Sequence, residues 1–150
     1  MASRGFGHMM ARSAVVFALL AALGALALLA GCGSGGEEPE PAAGFAVMPA
    51  KEAAAMVEAD PGLVILDVRA PVGFAMGHIP GAVNMDFKGE GFADELAKLD
   101  KDASYLVYCG GGEASAATAE MMVQMGFSHV AIIDKGYTEW VRLHLPTAKD

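Results

Sequence analysis

Positive charge is scarce in this sequence. Ten Lys and Arg stand against 18 Asp and Glu over 150 residues, a formal net charge of −8. Such a surface disfavours nucleic acid and anionic headgroups, and it gives no long-range attraction to anionic substrates. Cysteine is scarcer still, with Cys32 and Cys109 the whole supply. No Cys/His spacing of the zinc type occurs, so neither a metal nor another resident cofactor is expected. No internal repeat is found. The longest apolar run, residues 14–30, is slightly short of the ~20 residues that a spanning helix needs.

That run has the layout of a secretory signal. Arg4 and Arg12 form a positive leader, and the run itself is uncharged and rich in Ala and Leu. The arginines are not adjacent, so a twin-arginine route is not indicated. The segment ends Leu29-Ala30-Gly31-Cys32. These residues resemble the lipobox of bacterial lipoproteins. The resemblance implies a signal peptide over 1–31, cleavage before Cys32, a diacylglycerol thioether on Cys32 and acylation of the new N-terminus. One acyl chain holds a protein only at roughly 10⁴ M⁻¹, whereas several anchor it stably. An uncleaved N-terminal anchor is the alternative. Either way the domain is expected outside the cytoplasm on a tether; under the lipoprotein reading it is lipid-anchored in the bacterial cell envelope, facing the periplasm or exterior, with Gly33 compatible with the outer membrane.

Residues 33–44, GSGGEEPEPAAG, are glycine, proline and glutamate with little to bury. Together with Cys32 they read as a flexible tether over 32–44. All 18 acids but only eight of the ten bases follow Cys32, so the mature chain carries −10. With Cys32 lipidated, Cys109 is the only thiol and has no intramolecular disulfide partner. A lone thiol in an oxidising compartment is a liability unless it is buried or used.

The globular part spans 45–146, with 147–150 as a tail. A short apolar run at 45–48 leads to Pro49 and an alanine-rich helix over 50–59, which Asp60-Pro61-Gly62 ends. Residues 63–68 are apolar apart from Asp67, and 104–108 (SYLVY) and 130–133 are likewise continuous. Such runs are expected of strands buried on both faces. Residues 82–85 read as a shorter extended piece. Helical spacing marks 92–99, 115–125 and 137–145, the last two stopped by Gly126 and Pro146. Strands alternating with helices predict an α/β fold with a mainly parallel sheet. Ligands in such folds gather beyond the carboxyl ends of the strands, and Cys109 stands at one such end.

Three blocks in order are similar to the rhodanese family of single-domain sulfurtransferases. The first is Leu66-Asp67-Val68-Arg69, Phe74 and the run GHIPGAVN from Gly77 to Asn84. The second is Tyr108-Cys109, Gly112 and Ser115, ahead of a helix that closes on Gly126-Phe127. The third is Gly136-Tyr137-Thr138-Glu139-Trp140, with Lys135 in place of a first glycine. The resemblance covers nearly all of the globular part. It implies a three-layer sandwich: a mainly parallel five-stranded sheet flanked by helices. It also implies that Cys109 takes sulfane sulfur as a persulfide and passes it to a thiol-type acceptor. The partners are then a small sulfur donor or a protein thiol, with the membrane reached through the N-terminal lipid.

The residues agree in kind. A thiolate is the competent nucleophile, and a helix N-terminus lowers a cysteine pKa. Gly110, Gly111 and Gly112 leave room for backbone N–H groups to converge on one spot, which holds an anion without a cationic side chain. Ser115 is placed to cap the following helix and to offer a hydroxyl to the pocket. A buried, inert strand-end cysteine is the competing reading. Asp67 lies in a buried run and requires a partner. Its role reads as structural, with Arg69 its partner or another acid's. His78 reads as a loop-packing histidine, lining the site being the alternative, and Trp140 reads as core.

The loop departs from the family pattern. Relatives often carry Arg or Lys inside it, where this chain has Gly110, Glu113 and Ala114, and a glutamate before Phe74, where this chain has Gly73. A site with no cation and with Glu113 is expected to bind thiosulfate, a dianion, poorly. Ser115 occupies the position at which phosphatase-like relatives hold an arginine, so phosphoryl transfer is not expected. The alternative of another class is a catalytically silent binding module on the same fold.

Overall fold

The computed structural model describes residues 44–149. The predicted signal segment, Cys32 and the tether up to residue 43 lie outside the described residues. The chain runs β1 (Ala46–Met48), α1 (Ala50–Ala59), β2 (Val64–Asp67), α2 (Pro71–Ala75), β3 (Val83–Asn84), α3 (Phe92–Leu96), β4 (Ser104–Tyr108), α4 (Glu113–Gln124), β5 (His129–Ile133) and α5 (Gly136–Arg142). The strands form one sheet in the order β1-β5-β4-β2-β3, and every neighbouring pair is parallel.

The run SYLVY becomes the central strand, β4. Its alternate side chains feed two cores. Tyr105 and Val107 point to one, and Cys109, one step past the strand, continues that side. Leu106 and Tyr108 point to the other. A strand covered on both faces has no polar side, which is why the run is continuous. Phe92 and Leu96 of α3 with Ala119 and Met122 of α4 close the first core. Ala50 and Ala53 of α1 with Trp140 of α5 close the second. The result is a three-layer α/β sandwich. Fully buried Trp140 also donates its indole N–H to the Pro146 carbonyl at 2.8 Å, so the core residue carries a satisfied polar group.

Some bounds differ from those expected. The helix predicted over 115–125 begins at Glu113, because Gly112 takes the left-handed conformation (φ 115°) and caps it with its backbone. Ser115 is therefore inside the first turn and does not cap the helix. The helix predicted over 137–145 stops at Arg142. Short α2 was not expected from periodicity: it has five residues, none of them fully buried, too few to show an apolar stripe. In the segment set apart as a tail, Ala148 exchanges two backbone hydrogen bonds with His78, at 2.8 and 3.0 Å.

Candidate functional site

Cys109 leaves the central strand at the carboxyl edge of the sheet, the side where parallel α/β folds bind ligands. It is buried at 5% exposure and lines a cavity of about 560 Å³. The loop after β4 folds around that sulfur. The Gly112 N–H donates to Sγ at 3.0 Å, and the Ser115 hydroxyl lies 3.6 Å from it. The same hydroxyl donates to the Gly112 carbonyl at 2.9 Å. A hydroxyl has one proton, so it serves the carbonyl or the sulfur in turn, and a thiolate draws it.

Burial pushes the Cys109 thiol up, but hydrogen bonds from the Ser115 hydroxyl and from the N–H groups of Ser115, Gly112 and Gly111 outweigh it. The net result lies below the ordinary thiol value. No cationic side chain contributes to that stabilisation; the backbone and one hydroxyl do.

The loop keeps this shape because α5 holds it from behind. The Tyr137 N–H donates to the Cys109 carbonyl at 2.8 Å. Both the N–H and the hydroxyl of Thr138 donate to the Gly110 carbonyl, at 3.1 and 2.8 Å. With the Gly110 carbonyl turned away toward α5, the Gly111 N–H that follows is turned toward the sulfur. The approach is close enough to require glycine at 136. A Cβ there would lie 2.4 Å from the Cys109 carbonyl oxygen, and its φ of 55° is left-handed.

Asp67 and Arg69 form the second part of the site. Asp67 is fully buried, and Arg69 meets it with its Nε at 2.9 Å and Nη2 at 2.5 Å. Asp67 also accepts the Arg69 backbone N–H at 2.9 Å, fixing the turn after β2. Nη2 continues to the Gly77 carbonyl at 2.8 Å, and the guanidinium lies over the Tyr137 ring at 4.0 Å. Burial works against the Arg69 charge, and Asp67 more than restores it, so the pKa lies above its usual value. Arg69 is thus the partner of Asp67 and also one wall of the cavity.

His78 does not line the Cys109 cavity. Its ring stacks on Phe74 with centroids 3.9 Å apart, and its Nδ1 lies 3.1 Å from the Phe74 carbonyl. It packs a loop. Of the remaining expected residues, Gly110, Gly111, Glu113 and Ala114 line the cavity, while Gly112 and Ser115 support the sulfur from beneath. Among the described residues, no group of three His, Cys, Asp or Glu is arranged to hold a metal.

The expectation of a site without a cation holds for the loop and fails for the cavity. Arg69 and Lys88 both line it, together with Val68, Ala70, Asp86 and Phe87. Sequence reading passed over the residues after β3. The signal for them was available, since they follow a strand in a parallel sheet and so fall at the same edge as Cys109.

The chain resembles known proteins in sequence and in fold. Residues 49–143 match the family model described as Rhodanese-like domain. The chain is 40% identical to the Thiosulfate sulfurtransferase GlpE of Pseudomonas entomophila over 53% of its own length and 71% of that protein. It is 38% identical to the protein of that name from Stutzerimonas stutzeri over 64% of its length and 84% of that protein. Among solved structures it resembles the Alr3790 protein from Anabaena sp., with a TM-score of 0.61, 28% identity, and coverage of 69% of this chain and 82% of that one. The matched stretch begins just before α1, ends just after α5 and encloses Cys109 with its whole loop: the chain belongs to the rhodanese-like domain family.

Proposed function

We propose that the protein is a rhodanese-type sulfurtransferase in which Cys109 carries the sulfur. The observation that supports this most is buried Cys109 on the wall of a cavity, with the Gly112 N–H 3.0 Å from its sulfur. The Cys109 thiolate attacks the sulfane sulfur of a donor. The donor's S–S bond breaks, its electron pair leaves with the remainder (sulfite, if the donor is thiosulfate), and Cys109 holds a persulfide. An acceptor thiolate then attacks the outer sulfur, and the cysteine thiolate is the leaving group. The same N–H groups that favour the resting thiolate also stabilise the anionic persulfide. The relatives named thiosulfate sulfurtransferase support this chemistry.

The test is turnover with a panel of sulfane donors and a thiol or cyanide acceptor. Wild type is expected to turn over, and Cys109→Ala is expected to lose turnover completely. Absence of turnover with every donor would leave the domain as a docking module. We also propose that Cys32 is lipidated and holds the domain at the envelope membrane, which the LAGC sequence supports. Fractionation after incorporation of a tagged fatty acid tests it: label is expected in wild type and lost in Cys32→Ser. Equal labelling of both proteins would contradict it.

A further inference from the structure

The cavity over Cys109 is lined by two acids, Asp86 and Glu113, and two bases, Arg69 and Lys88. The bases are not equivalent. Arg69 is committed to Asp67, the Gly77 carbonyl and the Tyr137 ring. Lys88 is exposed and, among the described residues, takes part in no ion pair.

The position of Lys88 is fixed by its turn. The Phe87 N–H donates to the Val68 carbonyl at 3.2 Å, tying the turn to the end of β2, next to β4. The Asp86 side chain accepts the Lys88 N–H at 3.0 Å, and the Asp86 carbonyl accepts the Gly89 N–H at 2.8 Å. The Phe87 ring packs edge-on against Phe92, centroids 5.4 Å apart. The backbone at 88 is therefore held against the cavity, while the ammonium has a flexible stem and remains available.

We propose that Lys88 determines donor specificity: it is the uncommitted positive charge on the wall of the cavity that holds Cys109, and it lets an anionic sulfane donor approach past Glu113 and Asp86. The proposal rests on the sulfurtransferase reading of Cys109. It replaces the loop cation that this chain lacks with a cation from the turn after β3. It follows that use of thiosulfate depends on Lys88, while use of an uncharged donor does not. One unit charge at a half-open site changes anion binding by roughly tenfold.

Two measurements on Lys88→Met, Lys88→Arg and Glu113→Gln test this. The first compares the rate constants for alkylation of Cys109 by iodoacetate, an anion, and iodoacetamide, which is neutral. The iodoacetate-to-iodoacetamide ratio is expected to fall about five- to tenfold in Lys88→Met at low salt, with the gap closing at high salt. Lys88→Arg is expected to keep the wild-type ratio, and Glu113→Gln to raise it. The second compares kcat/KM for thiosulfate and for an organic hydropersulfide that carries an ammonium group and so has no net charge at neutral pH. Lys88→Met is expected to lose about tenfold with thiosulfate, mainly through KM, and to be unchanged with the neutral donor.

An unchanged alkylation ratio, or an equal loss with both donors, would overturn the role of Lys88 while leaving Cys109 chemistry intact. Failure of every donor to load sulfur on wild-type Cys109 would overturn the sulfurtransferase reading, and the donor assignment would fall with it.

Discussion

Two loops meet over Cys109, and they use opposite means to favour an anion. The loop after β4 has no cation and turns backbone N–H groups and one hydroxyl toward the sulfur. The turn after β3 spends its N–H groups at 87, 88 and 89 on its own folding and presents a side-chain charge. Backbone dipoles act at contact range and cannot swing away, so they suit the atom that forms and breaks bonds. An ammonium acts over several ångströms, is screened by salt and adapts to its partner, so it suits the approach of a donor. Under the proposed function, activation of the cysteine and attraction of the donor are separable, and substitutions can break them one at a time.

The largest effect is expected where both loops lose their common wall. Asp67→Ala leaves Arg69 without the carboxylate it is built around and frees the turn after β2. Breaking a buried pair of this kind costs about 3–5 kcal/mol, read as a lower urea midpoint. A midpoint within error of wild type would show that the pair does not hold this edge of the sheet.

Gly136→Ala attacks the backbone device alone. The added Cβ would press on the carbonyl oxygens of Cys109 and Gly110 at 2.4 and 3.0 Å, in a left-handed conformation. A stability loss of about 2–4 kcal/mol is expected, together with slower iodoacetamide alkylation of Cys109 at neutral pH. The charge preference between iodoacetate and iodoacetamide is expected to survive, because Lys88 is not disturbed. Loss of that preference as well would show that the two devices are coupled.

Ser115→Ala is a smaller cut in the same device, costing about 1 kcal/mol. Removing the hydroxyl is expected to move the pH midpoint of Cys109 alkylation upward. The sign of the linked stability follows from a folded-state thiol held below its ordinary value. Its contribution is fully present above the ordinary thiol range and is lost as pH falls through the folded value. The stability advantage of wild type over Ser115→Ala is therefore expected to grow as pH rises through that interval; a gap independent of pH would remove the hydroxyl from the account. The smallest effect belongs to Arg142→Ala. Its pair with Glu139 has the same 2.5 Å distance as Arg69 with Asp67, but it stands in solvent. No measurable change in the urea midpoint is expected.

Much of this was legible in the sequence wherever burial left a mark on side-chain type. Residues 104–108 read as a strand because both faces are covered, and Asp67 required a partner because it interrupts such a run. Cys109 stood out as a thiol at a strand end before a glycine loop. The rest was hidden for physical reasons. The start of α4 depends on one left-handed glycine, so Ser115 was misplaced as a cap. The hold of α5 on the loop joins residues 28 apart, and two of its three hydrogen bonds come from backbone N–H groups, which no residue type announces. Lys88 follows a strand of only two residues and is exposed, so neither periodicity nor burial pointed to it.

The central claim is that Cys109 accepts a sulfur atom. Its most direct test is the intact mass of the protein after a single exposure to a sulfane donor and removal of the excess. The account predicts a gain of one sulfur atom on wild type, reversed by a thiol acceptor and absent from Cys109→Ala. A wild-type protein whose mass does not change with thiosulfate, polysulfide or an organic hydropersulfide would contradict it.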